Sequence, residues 1–353
     1  MTSLRRGLPA VAAAAAGVVL AATVPTVATV AISPAHAQSH QVNTLLSSGS
    51  SVSREHGSAA ELSSGPIVDL AGGSSLARET GSTVHLSSDP AVDAVFNDPS
   101  CVPSPDHPNP VVYLHGTGTS SAQFLETARW LRAQGFCLWA IHYGSGHPNL
   151  RNVVPGEHGW ADIDASAAEI AVFVDGALAA TGAEKVDLVG HSQGGTLTKV
   201  YVQRYGGAGK VGRVVALGAT FRGTTLDGRD TWARSAVDTA PSSSAAIVGE
   251  SALQQLAGSE YITGVGELPD TTPGIIYTAL YTPSDTTATP YTTSLLESVD
   301  GADVANIDVE ATCGVPVSHG DLARSPVVAG LVRWGLTRAE GEHAADAEQC
   351  GVD

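Results

Sequence analysis

The sequence is short of charge. Only 15% of its 353 residues are Asp, Glu, Lys or Arg, so the surface must be built largely from Ser, Thr, Gly and Ala. Cations are the scarcer sign, with 18 Lys and Arg against 35 Asp and Glu and a formal net charge of -17. That balance argues against nucleic acid or an anionic membrane as a partner, since both carry negative charge. No C-x-x-C pair or Cys/His cluster has zinc-like spacing. His142 and His147 invite a reading as metal ligands, but no carboxylate set accompanies them. The glycine-rich "YLHGTGTS" lacks the lysine of a P-loop and the full G-x-G-x-x-G spacing, so no nucleotide phosphate is expected there. Neither a metal nor an organic cofactor is expected.

Hydrophobic residues make up 43% of the chain, enough for one large core or two modest ones. Residues 1–37 read as an export signal: Arg5 and Arg6, then a long apolar stretch, then Ala35-His36-Ala37 as a small-residue cleavage site. Pro25 and the closing A-x-A favour removal near Ala37 over retention as a membrane anchor. Secretory and twin-arginine routes both remain open. An exported chain meets oxidising conditions, and the four cysteines, Cys101, Cys137, Cys313 and Cys350, then predict two disulfides with three pairings to choose from.

From 38 to about 95 the chain is rich in Ser and Gly and carries a two-copy repeat. "REHGSAAELSSGP" from Arg54 is echoed by "RETGSTVHLSSDP" from Arg78. Two copies are too few for a solenoid, and a flexible arm is expected. Residues 96–353 read as one larger folded domain. Apolar runs at 110–116, 136–144, 185–190, 213–220 and 274–282 read as strands, and 121–135, 162–182, 193–207 and 325–336 as helices. Nearly continuous apolar strands alternating with helices predict an α/β fold, a mainly parallel, doubly wound sheet with helices on both faces. Residues 222–272 interrupt the rhythm and are a candidate lid or cap over the carboxyl ends of the strands.

One of those strands ends in "GHSQG", residues 190–194, and a helix follows. This strand–turn–helix setting is what a nucleophile elbow requires, and it singles out Ser192. A serine hydroxyl needs a base to take its proton and a carboxylate to orient that base. Two histidines lie downstream. His343 sits in a polar, acidic tail, whereas His319 precedes the last long helix and is the candidate base. Asp285, directly after the 274–282 strand, is the candidate carboxylate, with Asp300, Asp303 and Asp308 as competitors and Asp308 the runner-up. The oxyanion would be met by the backbone N–H of Gln193 and by that of Thr117, after the first strand.

Together "PVVYLHGTG", "GFCLWAIHYG", "KVDLVGHSQGG", "RVVALGATFRGTTLDG", "YTPSDTTATPYTTSLL" and "SHGDLARSPVV" resemble the small secreted bacterial lipases and esterases of the α/β-hydrolase superfamily, often grouped as class 2 lipases. The resemblance runs from about Cys101 to Leu336. It implies the α/β-hydrolase fold and a Ser192–Asp285–His319 triad. The D-x-x-x-x-P-Y frame at Asp285–Tyr291 resembles the acid loop of that family. It also implies Thr117 and Gln193 as oxyanion donors, disulfides Cys101–Cys137 and Cys313–Cys350, and secretion. An ester or lipid substrate is implied, with contact at a lipid interface or cell surface in prospect. Leu, Val and Ile side chains of the loops would line the acyl site. An acyltransferase, a polyester hydrolase and a non-catalytic surface protein are the competing readings.

Overall fold

A computed structural model describes residues 76–77, 83–84, 89–145, 154–231, 235, 239 and 241–352, all within the unit Ser63–Asp353. The expected export signal, most of the expected arm with its repeat, and His147 lie outside the described residues. Two short strands, β1 (Leu76–Ala77) and β2 (Thr83–Val84), pair antiparallel. The packed domain begins before residue 96. The short helix α1 (Pro90–Asp93) is capped by Asp89, and Val92, Val95 and Phe96 are buried in the core. Asn97 then fastens this entry by bonding both backbone groups of Ala140.

The main sheet has six parallel strands in the order β4-β3-β5-β6-β7-β8. They are β3 (Val111–Leu114), β4 (Leu138–Ile141), β5 (Val186–His191), β6 (Val211–Leu217), β7 (Ile276–Tyr281) and β8 (Asp303–Asp308). Because successive side chains point to opposite faces, each strand feeds two cores. Val112, Leu114 and Leu188 join one core, and Val111, Tyr113 and Val189 the other. Helices α3 (Ile163–Thr181) and α4 (Gln193–Arg204) cover the first face, with Ile163, Ala167, Ile170 and Val174 of α3 at helical spacing on the buried side. Helix α2 (Leu125–Ala133) and the last long helix, Pro326–Thr337, cover the second.

Local chemistry sets the helix ends. Asp162 caps α3 by accepting from the Ala165 N–H at 2.8 Å, and Gly182 ends it in the left-handed conformation, φ 70°. Ser325 and Pro326 start the last long helix. Strand β8 was not expected. It is an edge strand with acidic ends and only two fully buried positions, so its apolar pattern is weak. Among its described residues, the 222–272 insertion carries short helices at Pro241–Val248, Glu250–Gln254 and Glu260–Gly266. Disulfides join Cys101 to Cys137 and Cys313 to Cys350. Among the described residues, no helix is long and apolar enough to cross a membrane.

β3 pairs with β4 on one side and β5 on the other, so the chain reverses its winding direction at the β3/β5 pair. The loops after β3 and β5 therefore leave the sheet side by side, opening a crevice at the carboxyl edge.

Candidate active site

Ser192 follows the last residue of β5 and precedes the first of α4, with φ 56° and ψ −123°. A non-glycine residue in this region costs on the order of 1–3 kcal/mol and persists only where its surroundings impose it. Here they do. The Ser192 N–H donates to the Leu217 carbonyl at 2.8 Å, while the Ser192 carbonyl accepts from Gly195 and Thr196. A Cβ at Gly190 would stand 2.4 Å from the Gly194 carbonyl oxygen, and one at Gly194 would stand 2.1 Å from that of Leu114. The two glycines let the start of α4 press against β5 and the end of β3. They also bring the loop after β3 to the serine, where a Cβ on Gly116 would lie 3.2 Å from Ser192 Cβ.

His319 and Asp285 arrive on other loops of the same edge. Asp285 lies just past β7 and its side chain is almost wholly buried. One carboxylate oxygen, Oδ1, accepts from the N–H groups of Thr287 and Ala288 at 2.7 and 2.8 Å. The other, Oδ2, lies 2.6 Å from His319 Nδ1. An ionised carboxylate can only accept, so Nδ1 carries the proton in this contact. Ser192 and His319 line one cavity of about 350 Å³. No hydrogen bond joins them among the described residues, and catalytic contacts of this kind often tighten only when substrate binds. The competing aspartates are engaged elsewhere. Asp308 caps the helix Val309–Cys313, Asp303 pairs with the buried Arg338, and Asp300 lies in a turn with φ 52°. His343 is exposed beside Asp303.

Several neighbours escaped the sequence reading. His191 packs its ring 4.7 Å from that of His319. Burial and the neighbouring His319 push the His191 ring down to about 3, so it is neutral, and its Nε2–H donates to the His319 carbonyl at 2.9 Å. The loop that carries His319 is thereby tied to the elbow. Gly218, at φ 53°, leaves room for the Asp285–His319 pair. A Cβ there would lie 3.2 Å from His319 Nδ1 and 2.8 Å from Leu322 Cδ1. The position of His191 inside G-x-S-x-G was the available signal for the first. Gly218 had none, because its role depends on β6 lying between β5 and β7.

Thr117 and Gln193 flank Ser192 and touch one another, Thr117 Oγ1 donating to Gln193 Oε1 at 2.9 Å. Gln193 is in the first turn of α4, where a backbone N–H has no intrahelical acceptor. The rest of the cavity departs from the aliphatic lining that was expected. Leu226 and Ala252 are its aliphatic members, and Trp160 with five threonines supplies much of the remainder. The hydroxyls of Thr117, Thr119, Thr220 and Thr224 bond to protein atoms in the wall, which leaves their carbons to form an apolar surface. The insertion contributes Leu226, Ala252 and Gln255, so it forms one side of the cavity. His142 lies outside this set, with Nε2 accepting from the Ser121 N–H. Among the described residues no cluster of His, Cys, Asp or Glu is suited to hold a metal ion.

A family profile described as alpha/beta hydrolase fold matches residues 109–242. Among solved structures, lipase B of Aspergillus fumigatus superposes with a TM-score of 0.55 at 16% identity, over 82% of this chain and 68% of that one. A Bacillus licheniformis lipase in its propeptide form superposes with a TM-score of 0.52 at 17% identity, over 70% of this chain. That match spans 54% of the Bacillus chain, little more than half its length. The parallel six-stranded sheet, the elbow at its carboxyl edge and these likenesses together show that the chain has the α/β-hydrolase fold.

Proposed function

We propose that this protein is an exported serine hydrolase that cleaves carboxylic esters, of the lipase/esterase kind, through an acyl-enzyme on Ser192. The observation that carries the reading is the hydrogen-bonded Asp285–His319 pair lining, through His319, the same cavity as a serine in strained backbone geometry. His319 Nε2 takes the Ser192 proton as Oγ attacks the ester carbonyl. The N–H groups of Thr117 and Gln193 receive the oxyanion, the C–O bond to the alcohol breaks, and His319 returns the proton to the departing alcohol. Water then enters, His319 takes its proton, and the acid leaves with Ser192 restored. The Asp285 carboxylate holds the ring in the required tautomer and stabilises the imidazolium.

Both structural neighbours bear the name lipase, which agrees with an ester substrate. The apolar, threonine-walled cavity, near the lower end of ligand-pocket volumes, favours esters of short to medium acyl chains. Two disulfides, and the reading of residues 1–37 as an export signal, favour action outside the cytoplasm.

Labelling with a fluorophosphonate and mapping of the modified residue tests the reading. Label is expected on Ser192 alone. Ser192→Ala and His319→Ala should each abolish labelling and lower kcat on p-nitrophenyl butyrate by about 10⁵-fold or more. Label on another serine, or turnover surviving Ser192→Ala, refutes it.

A further inference from the structure

We propose that Gln255, carried on the insertion, is a positioning residue for the oxyanion donors: its side-chain amide clamps Thr117 and, through Thr117, Gln193 beside Ser192. The catalytic consequence rests on the ester-hydrolase reading above.

The clamp is a chain of hydrogen bonds with only one consistent direction. The Thr220 N–H donates to Thr196 Oγ1 at 3.0 Å, and the two threonine hydroxyls are 2.9 Å apart. Thr220 Oγ1 donates to Gln255 Oε1 at 2.8 Å, an oxygen that can only accept. On the other side of the amide, Gln255 Nε2 donates to Thr117 Oγ1 at 3.0 Å and to the Ser251 carbonyl at 3.0 Å. Thr117 must then use its single hydroxyl proton on Gln193 Oε1, at 2.9 Å. Each threonine hydroxyl proton has one place to go. Thr196, Thr220, Gln193 and Gln255 are all buried, and Thr220 and Gln255 also border the cavity, so a break strands a polar group in its wall.

The insertion is itself pinned where it carries this amide. The Gln255 carbonyl accepts from the Thr224 N–H at 2.8 Å, and Ala257 N–H donates back to Thr224 at 2.9 Å. Ser251 Oγ donates to the Gly159 carbonyl at 2.6 Å, and a Cβ on Gly159 would lie 3.0 Å from Gln193 Oε1. Around Gln255 the insertion is therefore a fixed wall bonded to the oxyanion loop. Oxyanion donors act by being in place before charge develops, so the clamp bears on the transition state more than on substrate binding.

The test compares Gln255→Leu, Thr117→Val and the double variant in the full chain, with p-nitrophenyl butyrate. Thr117→Val keeps the Thr117 N–H and removes only the hydroxyl link. Each single variant should lower kcat on the order of tenfold with KM within about threefold, and the double variant should be no worse than the worse single, because one chain has been cut twice. Unchanged kcat in Gln255→Leu, or losses that multiply, overturns the clamp. Gln255→Glu keeps the Thr220 bond and loses the N–H to Thr117, so it gives the same comparison should Gln255→Leu not fold. Backbone amide exchange is the readout that needs no turnover: faster exchange at Thr117 and Gln193 in either Gln255 variant supports the clamp, and unchanged exchange refutes it. A wild-type protein that neither turns over the ester nor reacts with fluorophosphonate overturns the hydrolase reading alone.

Discussion

At the amino-terminal edge of the sheet, Arg338 is buried and spends its guanidinium on Asp303, on Thr278 Oγ1 and on the carbonyls of Tyr277 and Glu342. Nearby, Asp187 accepts from Asn109 at 2.9 Å beside a cavity of about 230 Å³ walled by Lys185, Arg213 and Asp303. At the carboxyl edge, Asp285 and His191 are equally enclosed, but the network they belong to ends in unmet capacity. Among the described residues, Ser192 Oγ and His319 Nε2 have no protein partner, and both line the larger cavity. Polar groups are thus buried at both edges, and the difference lies in whether every one is answered by the protein. Where all are answered, the cluster holds the fold. Where some are left facing a cavity, chemistry becomes available, and the backbone strain at Ser192 falls at that edge.

Substitutions at the two edges should separate these roles. Of the substitutions that compare the two edges, the largest effect is expected from Asp285→Asn, which would let the His319 ring adopt the other tautomer. We expect kcat on p-nitrophenyl butyrate to fall about 10⁴-fold. Unfolding by urea should change far less, and a variant that retains wild-type turnover would contradict the assigned role. The converse experiment is Arg338→Met, which leaves Asp303 buried without its partner. Stability should drop by about 3–5 kcal/mol in urea titration, with kcat at low temperature unchanged. If kcat fell in parallel with stability, the two edges would not be separable.

A smaller, pH-dependent effect sharpens the comparison. Burial pushes the carboxyls of Asp187 and Glu169 up to about 7 from ordinary values near 4. For an acid raised in the folded state, the native protein holds the proton more tightly than the unfolded chain. Stability from these groups is therefore present at low pH and lost as pH rises from about 4 to about 7. Each contributes a slope of up to about 1.4 kcal/mol per pH unit. Asp187→Asn should flatten its share of that slope in urea titrations at several pH values, without altering the pH dependence of kcat. An unchanged slope would mean that Asp187 is ionised in the fold.

Much of the fold was legible because its signals are local. Strand β5, the glycines around Ser192 and the start of α4 are contiguous, and steric limits on φ and ψ act between close neighbours. Strand β8 was not, because an edge strand needs fewer apolar residues and its aspartates resembled loop residues. The cavity wall misled for a related reason. A threonine shows its methyl or its hydroxyl according to what its hydroxyl can bond, and those partners at Thr224 and Thr117 are set by distant segments.

By itself the sequence determined the alternation of elements, the elbow and a small set of candidate partners, since periodicity, caps and glycine placement are short-range properties. The tertiary structure decided which aspartate meets His319, that His191 braces the loop carrying it, and that Gln255 of the insertion reaches Thr117. Those pairings span tens to more than a hundred residues along the chain. They exist only because the order of parallel strands brings the ends of β3, β5, β6 and β7 to one edge.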